Sequence, residues 1–268
     1  MKKSKKQEII EEKILDKLSG KARFAALTIF EHKELQSLQD YANIVSIRRL
    51  GYNDHGPVHM RKATLNAIKM YKLLDQKGIK LNLESEGICK NEDSLVAVVI
   101  SSLLHDLGMS VSRDSHELIG LIVAQKYIDE IINQIYTEDE ITQRIAVKSI
   151  VLEGIFGHMT TYKIYTKEAG LVLVGDGCDM EEGRARIPTL LRNEPKAGDI
   201  HRHSSSAIEK VKIEAGEEKP IRIEVVMNES VGIFQVEEVL YPKILSSPIK
   251  PYIELFAQVI NGDKLRYL

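Results

Sequence analysis

The stretch SLVAVVISSLLHDLGMS (residues 94–110) decides how this chain folds, because it is apolar on nearly every side. A helix without a polar face has to lie inside the protein, surrounded by other elements. The run ends in an adjacent imidazole and carboxylate, His105 and Asp106, and both groups are costly to bury unless a partner compensates them. The sequence therefore predicts a central buried helix, and it raises the question of what pairs with the two polar groups at its end.

The residues before and after this run are predicted to be helical and to surround it. Ile10, Ile14 and Leu18 form an apolar stripe at helical spacing near the start of the chain. Pro57 suits the first turn of a helix that runs to about residue 74. Further helices are predicted over 24–45, from Ser115 as a cap into His116, over 137–156 with the capping box Thr137 and Glu140, and after the cap Thr166.

The pattern changes after Pro188, where a second unit is predicted. KVKIEAGEEKPIRIEVVM (210–227) alternates with period two on both sides of a glycine-containing turn, which indicates a hairpin. Residues 234–245 are predicted to be helical, and PYIELFAQV (251–259) is predicted to be the final strand. The fold class is therefore mainly α, with a helical bundle over residues 1–200 followed by a small α+β module of ββαβ order over 201–268.

The composition excludes several classes of protein. With 37 basic and 39 acidic residues the formal charge is −2, so no global field draws the chain to nucleic acid or anionic lipid. Any nucleotide substrate must be held by local groups. Cys89 and Cys178 form no spaced motif and are expected to be free thiols in a reducing cytoplasm. The basic start lacks the apolar core of a signal peptide, and no run approaches 18 apolar residues, so we expect a cytoplasmic protein without a membrane span.

Four polar side chains are predicted to point into the helical core. His59 lies on the inward stripe of its helix, and His105 and Asp106 close the buried helix. Asp176 lies on the inward face of a later helix, between two glycines that allow another backbone or a ligand to approach closely. His116, at a helix start, and His158, in a loop, can join the same cluster.

Metal binding is one of several interpretations of these groups. Imidazoles and carboxylates on facing helices are how bundle cores hold divalent metals. Taken singly, each residue has a simpler explanation: a core histidine bonded to a carbonyl, a chance His–Asp dipeptide, or an aspartate paired with an arginine. The order of the whole set along the chain is what favours a metal.

This ordered set resembles the HD superfamily of metal-dependent phosphohydrolases. The resemblance covers about residues 50–190 and includes SLLHDLG (102–108) and HELIG (116–120). Within the superfamily the chain is similar to the catalytic part of ribonuclease Y, through DGCDMEEGRARIP (176–188) and the sheet segment KVKIEAGEEKPIRIEV (210–225). The resemblance does not extend to the membrane anchor and the RNA-binding KH domain of ribonuclease Y, so these parts are expected to be absent.

The resemblance implies a ligand set and a reaction. His59, His105, Asp106 and Asp176 would bind one metal ion, and His116 and His158 would complete a second site with Asp106 as the bridge. One or two divalent ions of Mn, Fe, Zn, Co or Ni suit such a mixed nitrogen and oxygen set. A metal-activated hydroxide would then attack phosphorus in a phosphodiester of RNA ends, oligonucleotides or cyclic nucleotides.

The sequence indicates the residue that would bind phosphate less clearly than it indicates the metal ligands. Members of the superfamily often have a lysine after HDLG, and here that residue is Met109. Arg113, Arg184 and Arg186 are candidates to replace it, because guanidinium groups match phosphate oxygens, although each is equally explained as a solvated surface charge. His55, just before the predicted helix start, is expected to support the site; a proton donor to the leaving oxygen and a simple turn residue are the alternatives.

Two other functions remain open at this level. A nucleotide phosphomonoesterase shares the motif, and a non-catalytic nucleotide sensor is consistent with the missing lysine. A nucleic-acid adaptor is disfavoured because the predicted sheet segment 210–227 has no aromatic residues for base stacking. The expected partner is a phosphate-containing small molecule or RNA, and the open edge of the predicted three-stranded sheet suggests a homodimer.

Overall fold

A computed structural model describes residues 3–181 and 204–268 of the chain. In the first range the α-helices are α1 (Lys5–Leu15), α2 (Gly20–Glu31), α3 (Lys33–Ile44), α4 (Pro57–Gln76), α5 (Asn82–Ser85), α6 (Asn91–Leu104), α7 (His116–Ile135), α8 (Ile141–Phe156) and α9 (Lys167–Gly177). The second range contains β1 (Ile208–Ala215), β2 (Ile221–Met227), α10 (Ile233–Gln235), α11 (Tyr241–Ser246), β3 (Ile253–Val259) and β4 (Lys264–Arg266). A π-helical stretch, Val236–Leu240, joins α10 to α11. The expected class, mainly α with a small α+β module, is confirmed.

Helix α6 is the centre of the helical part, as its sequence predicts. It packs against α2, α4, α8 and α9, and almost all of its residues are buried. The segment Asn91–Ser110 is long and apolar enough to cross a membrane, but its apolar window lies wholly inside the protein. That burial is the behaviour of a core helix and is consistent with a soluble protein.

Local capping chemistry sets several helix starts where the sequence places them. Thr137 and Glu140 form the predicted capping box before α8, and the Thr166 side chain accepts a hydrogen bond from the Ala169 backbone before α9. Pro57 begins α4 as expected. Ser115 does precede α7, but its backbone is left-handed, with φ of 56°, and its side chain makes no capping bond.

Two helix boundaries differ from the prediction. The helix predicted over 24–45 is broken at His32, whose ring nitrogen accepts a hydrogen bond from the Leu35 backbone and caps α3. Histidine is not among the preferred capping residues, so the sequence does not mark this break. The helix predicted to end at residue 45 also extends further, because the chain continues after α3 as a π-helical stretch, Val45–Leu50.

The C-terminal sheet has four strands in the order β1-β2-β3-β4. The predicted ββαβ module has only three strands, so the prediction missed one. β1 and β2 form the predicted antiparallel hairpin, and β2 and β3 are parallel, joined by the helical crossover through α10 and α11. β4 is antiparallel to β3. It escaped prediction because its three residues are all exposed and show no alternation.

The C-terminal module packs on the helical part through a shared hydrophobic core. Ile208, Ile221, Leu240 and Ile244 are fully buried and belong to the same apolar cluster as the core of the helical part. β1 contacts α4, and α11 contacts α9. The module therefore lies against the two helices that carry His59 and Asp176, while the predicted boundary between residues 200 and 201 lies outside the described residues.

Candidate metal centre

Four histidine side chains converge on the carboxylate of Asp106. His59 comes from α4, His105 ends α6, His116 begins α7, and His158 follows α8. The Nε2 atoms of His59 and His105 lie 3.3 and 3.4 Å from Oδ2 of Asp106. The Nε2 atoms of His116 and His158 each lie 3.4 Å from Oδ1. Each oxygen of one carboxylate therefore faces a different pair of imidazoles.

Hydrogen bonds at the other ring nitrogen fix the orientation of all four rings. Each Nδ1–H donates to an acceptor inside the protein, at 2.7 to 2.8 Å. The acceptors are Asp179 Oδ2 for His59, Ser102 O for His105, Arg113 O for His116 and Ile155 O for His158. A ring that is protonated on Nδ1 alone presents its Nε2 lone pair toward Asp106, the arrangement found around metal-bound histidines.

The spacing of these lone pairs calls for a positive charge between them. The Nε2 atoms of His59 and His105 are 3.2 Å apart, and those of His116 and His158 are 3.0 Å apart. Two unprotonated ring nitrogens at such distances repel each other unless a proton or a metal cation lies between them. A metal ion satisfies both pairs together, whereas carbonyl-bonded core histidines would not be expected to face one another in this way.

One oxygen of Asp106 faces two imidazoles without a hydrogen bond of good geometry. Its side chain is buried, and Oδ2 has no hydrogen-bond partner among the residues that the structure describes. Burial raises the pKa of this carboxyl, but the neighbouring His105 and His55 outweigh burial and hold the pKa well below its usual range. The group is therefore a buried, charged carboxylate with an unsatisfied oxygen, which is costly without a cation.

Asp176 adds a second carboxylate from α9. Its Oδ1 lies 3.0 Å from His59 Nε2 and 3.8 Å from His105 Nε2, and its Oδ2 accepts a hydrogen bond from Lys243. Burial raises the pKa of this carboxyl, but Lys243 and His59 lower it well below its usual range. The preceding Gly175 permits the approach of α9 to α4, since a Cβ there would lie 2.8 Å from a carbonyl oxygen of α4.

His158 is held in the neutral form. Burial lowers the pKa of its imidazole to about 4, helped by His105 and His116 and opposed by Asp106. Near neutral pH the ring therefore carries no charge and keeps a lone pair on the nitrogen that faces Asp106, as a metal ligand must.

These residues fit a divalent metal ion. Two sets of three donor groups share Asp106, one with His59 and His105 and the other with His116 and His158, and in each set the donor atoms lie within 4.8 Å of one another. Imidazole nitrogens with carboxylate oxygens suit first-row transition metals better than calcium. We refer below to the His–Asp cluster, which consists of His59, His105, Asp106, His116, His158 and Asp176.

A cavity of about 300 Å³ adjoins the cluster and is named here the site cavity. It is lined by His55, Asp106, Arg113, Met159, Thr160, Asp176, Glu238, Val239, Pro242 and Lys243. His55 precedes α4, as expected, and its ring is held at Nδ1 by the Asn53 carbonyl at 2.7 Å and by the Ser46 hydroxyl at 2.9 Å. Arg113 lies over the Tyr52 ring at the cavity wall, and Arg184 and Arg186 lie outside the described residues.

Sequence reasoning missed two residues that touch the cluster. Asp179 accepts the Nδ1 proton of His59 and pairs with Lys62, and its position three residues after Asp176 was an available signal. Lys243 left no such signal, because it lies 67 residues from Asp176 in the C-terminal module. Only the packing of α11 against α9 brings the two together.

Asp179→Asn is expected to weaken metal binding by roughly tenfold to a hundredfold, the usual effect of changing the group that holds a ligating histidine. The neutral amide no longer increases the basicity of the His59 ring. Glu181→Gln is the matched control, because Glu181 also pairs with Lys62 at 3.0 Å but is not the residue that accepts the His59 proton. Titration calorimetry with Mn²⁺ measures both variants, and equal affinities would contradict the role given to Asp179.

The fold and these donor groups define a mainly helical protein with buried histidine and aspartate clusters that could hold a divalent metal ion. The chain belongs to the same family as the uncharacterised protein MJ1020 of Methanocaldococcus jannaschii. The two are 39% identical over 245 residues, which cover 91% of this chain and 92% of that protein. No family model matches the chain, and no solved structure matches it.

Proposed function

We propose that this protein is a metal-dependent phosphohydrolase that cleaves phosphodiesters of RNA ends, oligonucleotides or cyclic nucleotides. The observation that carries the proposal is Oδ2 of Asp106, a buried carboxylate oxygen without a hydrogen-bond partner in the described ranges, facing two imidazole lone pairs. Native proteins rarely leave such an atom uncompensated. The ordered likeness of these residues to HD phosphohydrolases, and of the later segments to ribonuclease Y, supports the choice of a diester.

The proposed cofactor is a pair of divalent ions of Mn, Fe, Co, Ni or Zn. A pair is favoured because Asp106 presents each oxygen to a different two histidines, which suits a bridging carboxylate. Ions bound there would supply Lewis acidity and a water molecule of lowered pKa. The reducing cytoplasm is the proposed location, in keeping with free thiols at Cys89 and Cys178.

The chain's own residues would hold the substrate and move a proton. Arg113 places positive charge along the site cavity, where the phosphate would lie. His55 is fixed at Nδ1 and lines the same cavity, so its other nitrogen is the proposed proton donor to the leaving oxygen. The burial of the His–Asp cluster keeps bulk water from the charged groups, which strengthens their electrostatic effect.

We expect Mn²⁺-dependent hydrolysis of bis(p-nitrophenyl) phosphate that EDTA removes, with little turnover of p-nitrophenyl phosphate. The His105→Ala/Asp106→Ala double variant is the blank. Turnover of the monoester alone would replace the proposal by a nucleotide phosphomonoesterase. A protein that binds Mn²⁺ but cleaves neither compound, nor RNA, nor cyclic nucleotides, would contradict the enzyme and leave a nucleotide sensor.

A further inference from the structure

Lys243, from the C-terminal module, reaches into the His–Asp cluster. It lies on α11 and is only 7% exposed, and it is the one buried lysine within residues 3–181 and 204–268. Its Nζ donates hydrogen bonds to Oδ2 of Asp176 and, at 2.8 Å, to the backbone carbonyl of His158. One ammonium group thus ties the module to two residues of the cluster.

The fold makes room for this side chain. Gly177 ends α9, and a Cβ at that position would lie 3.0 Å from Cδ of Lys243 and 3.3 Å from Leu240. That separation is tighter than ordinary van der Waals contact. The absence of a side chain at Gly177 therefore allows the alkyl chain of Lys243 to pass against α9 and reach Asp176.

The ammonium group keeps hydrogen-bonding capacity that its two neighbours do not use. A lysine ammonium has three N–H donors, and the described residues take two of them, through Asp176 and the His158 carbonyl. Lys243 also lines the site cavity, next to His55 and Arg113. Met109, which follows HDLG, is fully buried and does not line that cavity.

We propose that Lys243 binds the phosphate group of the substrate at the end of the site cavity beside Asp176, so that the C-terminal module completes the active site. This inference rests on the proposed function for the identity of the ligand. The ammonium is a compact positive charge that can donate one hydrogen bond to a phosphate oxygen while it keeps its bond to Asp176. Because Lys243 belongs to α11, the position of the C-terminal module would determine whether its ammonium group reaches the phosphate.

A purely structural role for Lys243 makes a different prediction. If the lysine only compensated the charge of Asp176, its loss would disturb metal binding, and phosphate affinity would fall only as a consequence. A direct contact with phosphate instead predicts that the phosphate affinity of the Mn²⁺-saturated protein falls well beyond any fall in metal affinity. The two affinities, measured separately, distinguish the roles without any measurement of turnover.

The test uses the full chain and the variants Lys243→Met, Lys243→Gln and Lys243→Arg, with Lys250→Met as the matched control. Lys250 is an exposed lysine of the same module. Titration calorimetry measures the affinity for Mn²⁺ and then the affinity of the Mn²⁺-loaded protein for inorganic phosphate. Circular dichroism verifies folding, and the glutamine variant, which keeps a donor without the charge, carries the test if the methionine variant does not fold.

We expect the methionine and glutamine variants to bind phosphate at least roughly tenfold more weakly, while Lys243→Arg and the control stay within about threefold of the parent. Loss of the bond to Asp176 also affects Mn²⁺ binding, so Mn²⁺ affinity should fall in the methionine and glutamine variants, but by less than the phosphate affinity of the Mn²⁺-saturated protein. Unchanged phosphate binding in Lys243→Met and Lys243→Gln, no phosphate binding by the parent, or a parallel fall of both affinities would overturn the inference.

The test of Lys243 and the test of the proposed function can succeed or fail independently of each other. A parent protein that binds phosphate through Lys243 but cleaves no phosphate ester would refute the enzyme and leave the phosphate site in place. A parent protein that cleaves the diester, with phosphate affinity indifferent to Lys243, would refute the site and leave the enzyme in place.

Discussion

Asp106→Asn is expected to abolish tight metal binding and, with it, the proposed phosphodiester hydrolysis. Asp106 offers one oxygen to His59 and His105 and the other to His116 and His158, so its charge serves both halves of the cluster. Removing one partner of a buried charge pair costs about 3–5 kcal/mol, which corresponds to a loss of roughly a hundredfold to several thousandfold in affinity. No other substitution in the His–Asp cluster touches both sets of donors in this way.

The same variant separates metal binding from folding. Asparagine keeps the size and shape of the side chain, so the metal-free variant should still fold, although loss of the charge that the imidazoles favour lowers its stability. A ligand that binds the folded state raises the melting temperature, so Mn²⁺ should stabilise the parent and not the variant. Asp114→Asn, an exposed aspartate eight positions along the same connection, is the matched control. A normal Mn²⁺-induced rise in Asp106→Asn would contradict the assignment of Asp106.

The parts of the fold that the sequence predicts depend on local chemistry. The all-round apolar character of α6 and the capping groups at Thr137 and Thr166 act within a few residues, so their effect is visible in the sequence. The break at His32 depends on a weak capping residue, and β4 depends on pairing with β3. Neither leaves a periodic pattern, and both were missed for that reason.

In the candidate site, too, the sequence predicts some residues and misses others. The inward positions of His59 and Asp176 follow from helical periodicity, and the structure brings both to Asp106. Arg61, by contrast, cannot be distinguished by sequence from a surface arginine, yet it is fully buried, with its Nε 2.6 Å from Glu11. Lys243 depends on the packing of the module, a long-range contact that no local pattern reports. The sequence therefore identifies candidate metal ligands better than it identifies the charged residues that surround them.

Gly108→Ala is expected to destabilise the protein by about 3 kcal/mol and to displace His116 from the cluster. Gly108 lies in the turn that directly follows Asp106, and a Cβ there would lie 1.9 Å from the carbonyl oxygen of His116 and 2.6 Å from the backbone nitrogen of Gly120. Backbone atoms cannot rotate away as a side chain can, so the start of α7 must move. The absence of a side chain at Gly108 therefore sets how closely His116 approaches Asp106.

Gly120→Ala is the matched control, because Gly120 lies on the other side of the same contact. Its nearest neighbour would be a methyl group of Ile155 at 3.3 Å, which can yield by a small shift, and alanine favours the helix. Urea unfolding measures stability, and Mn²⁺ titration measures the number of ions bound. We expect Gly108→Ala to lose stability together with the ion proposed to bind at His116 and His158, while Gly120→Ala stays within about 1 kcal/mol of the parent. Equal stability and equal Mn²⁺ binding in the two variants would show that the close approach of Gly108 to α7 does not determine the position of His116.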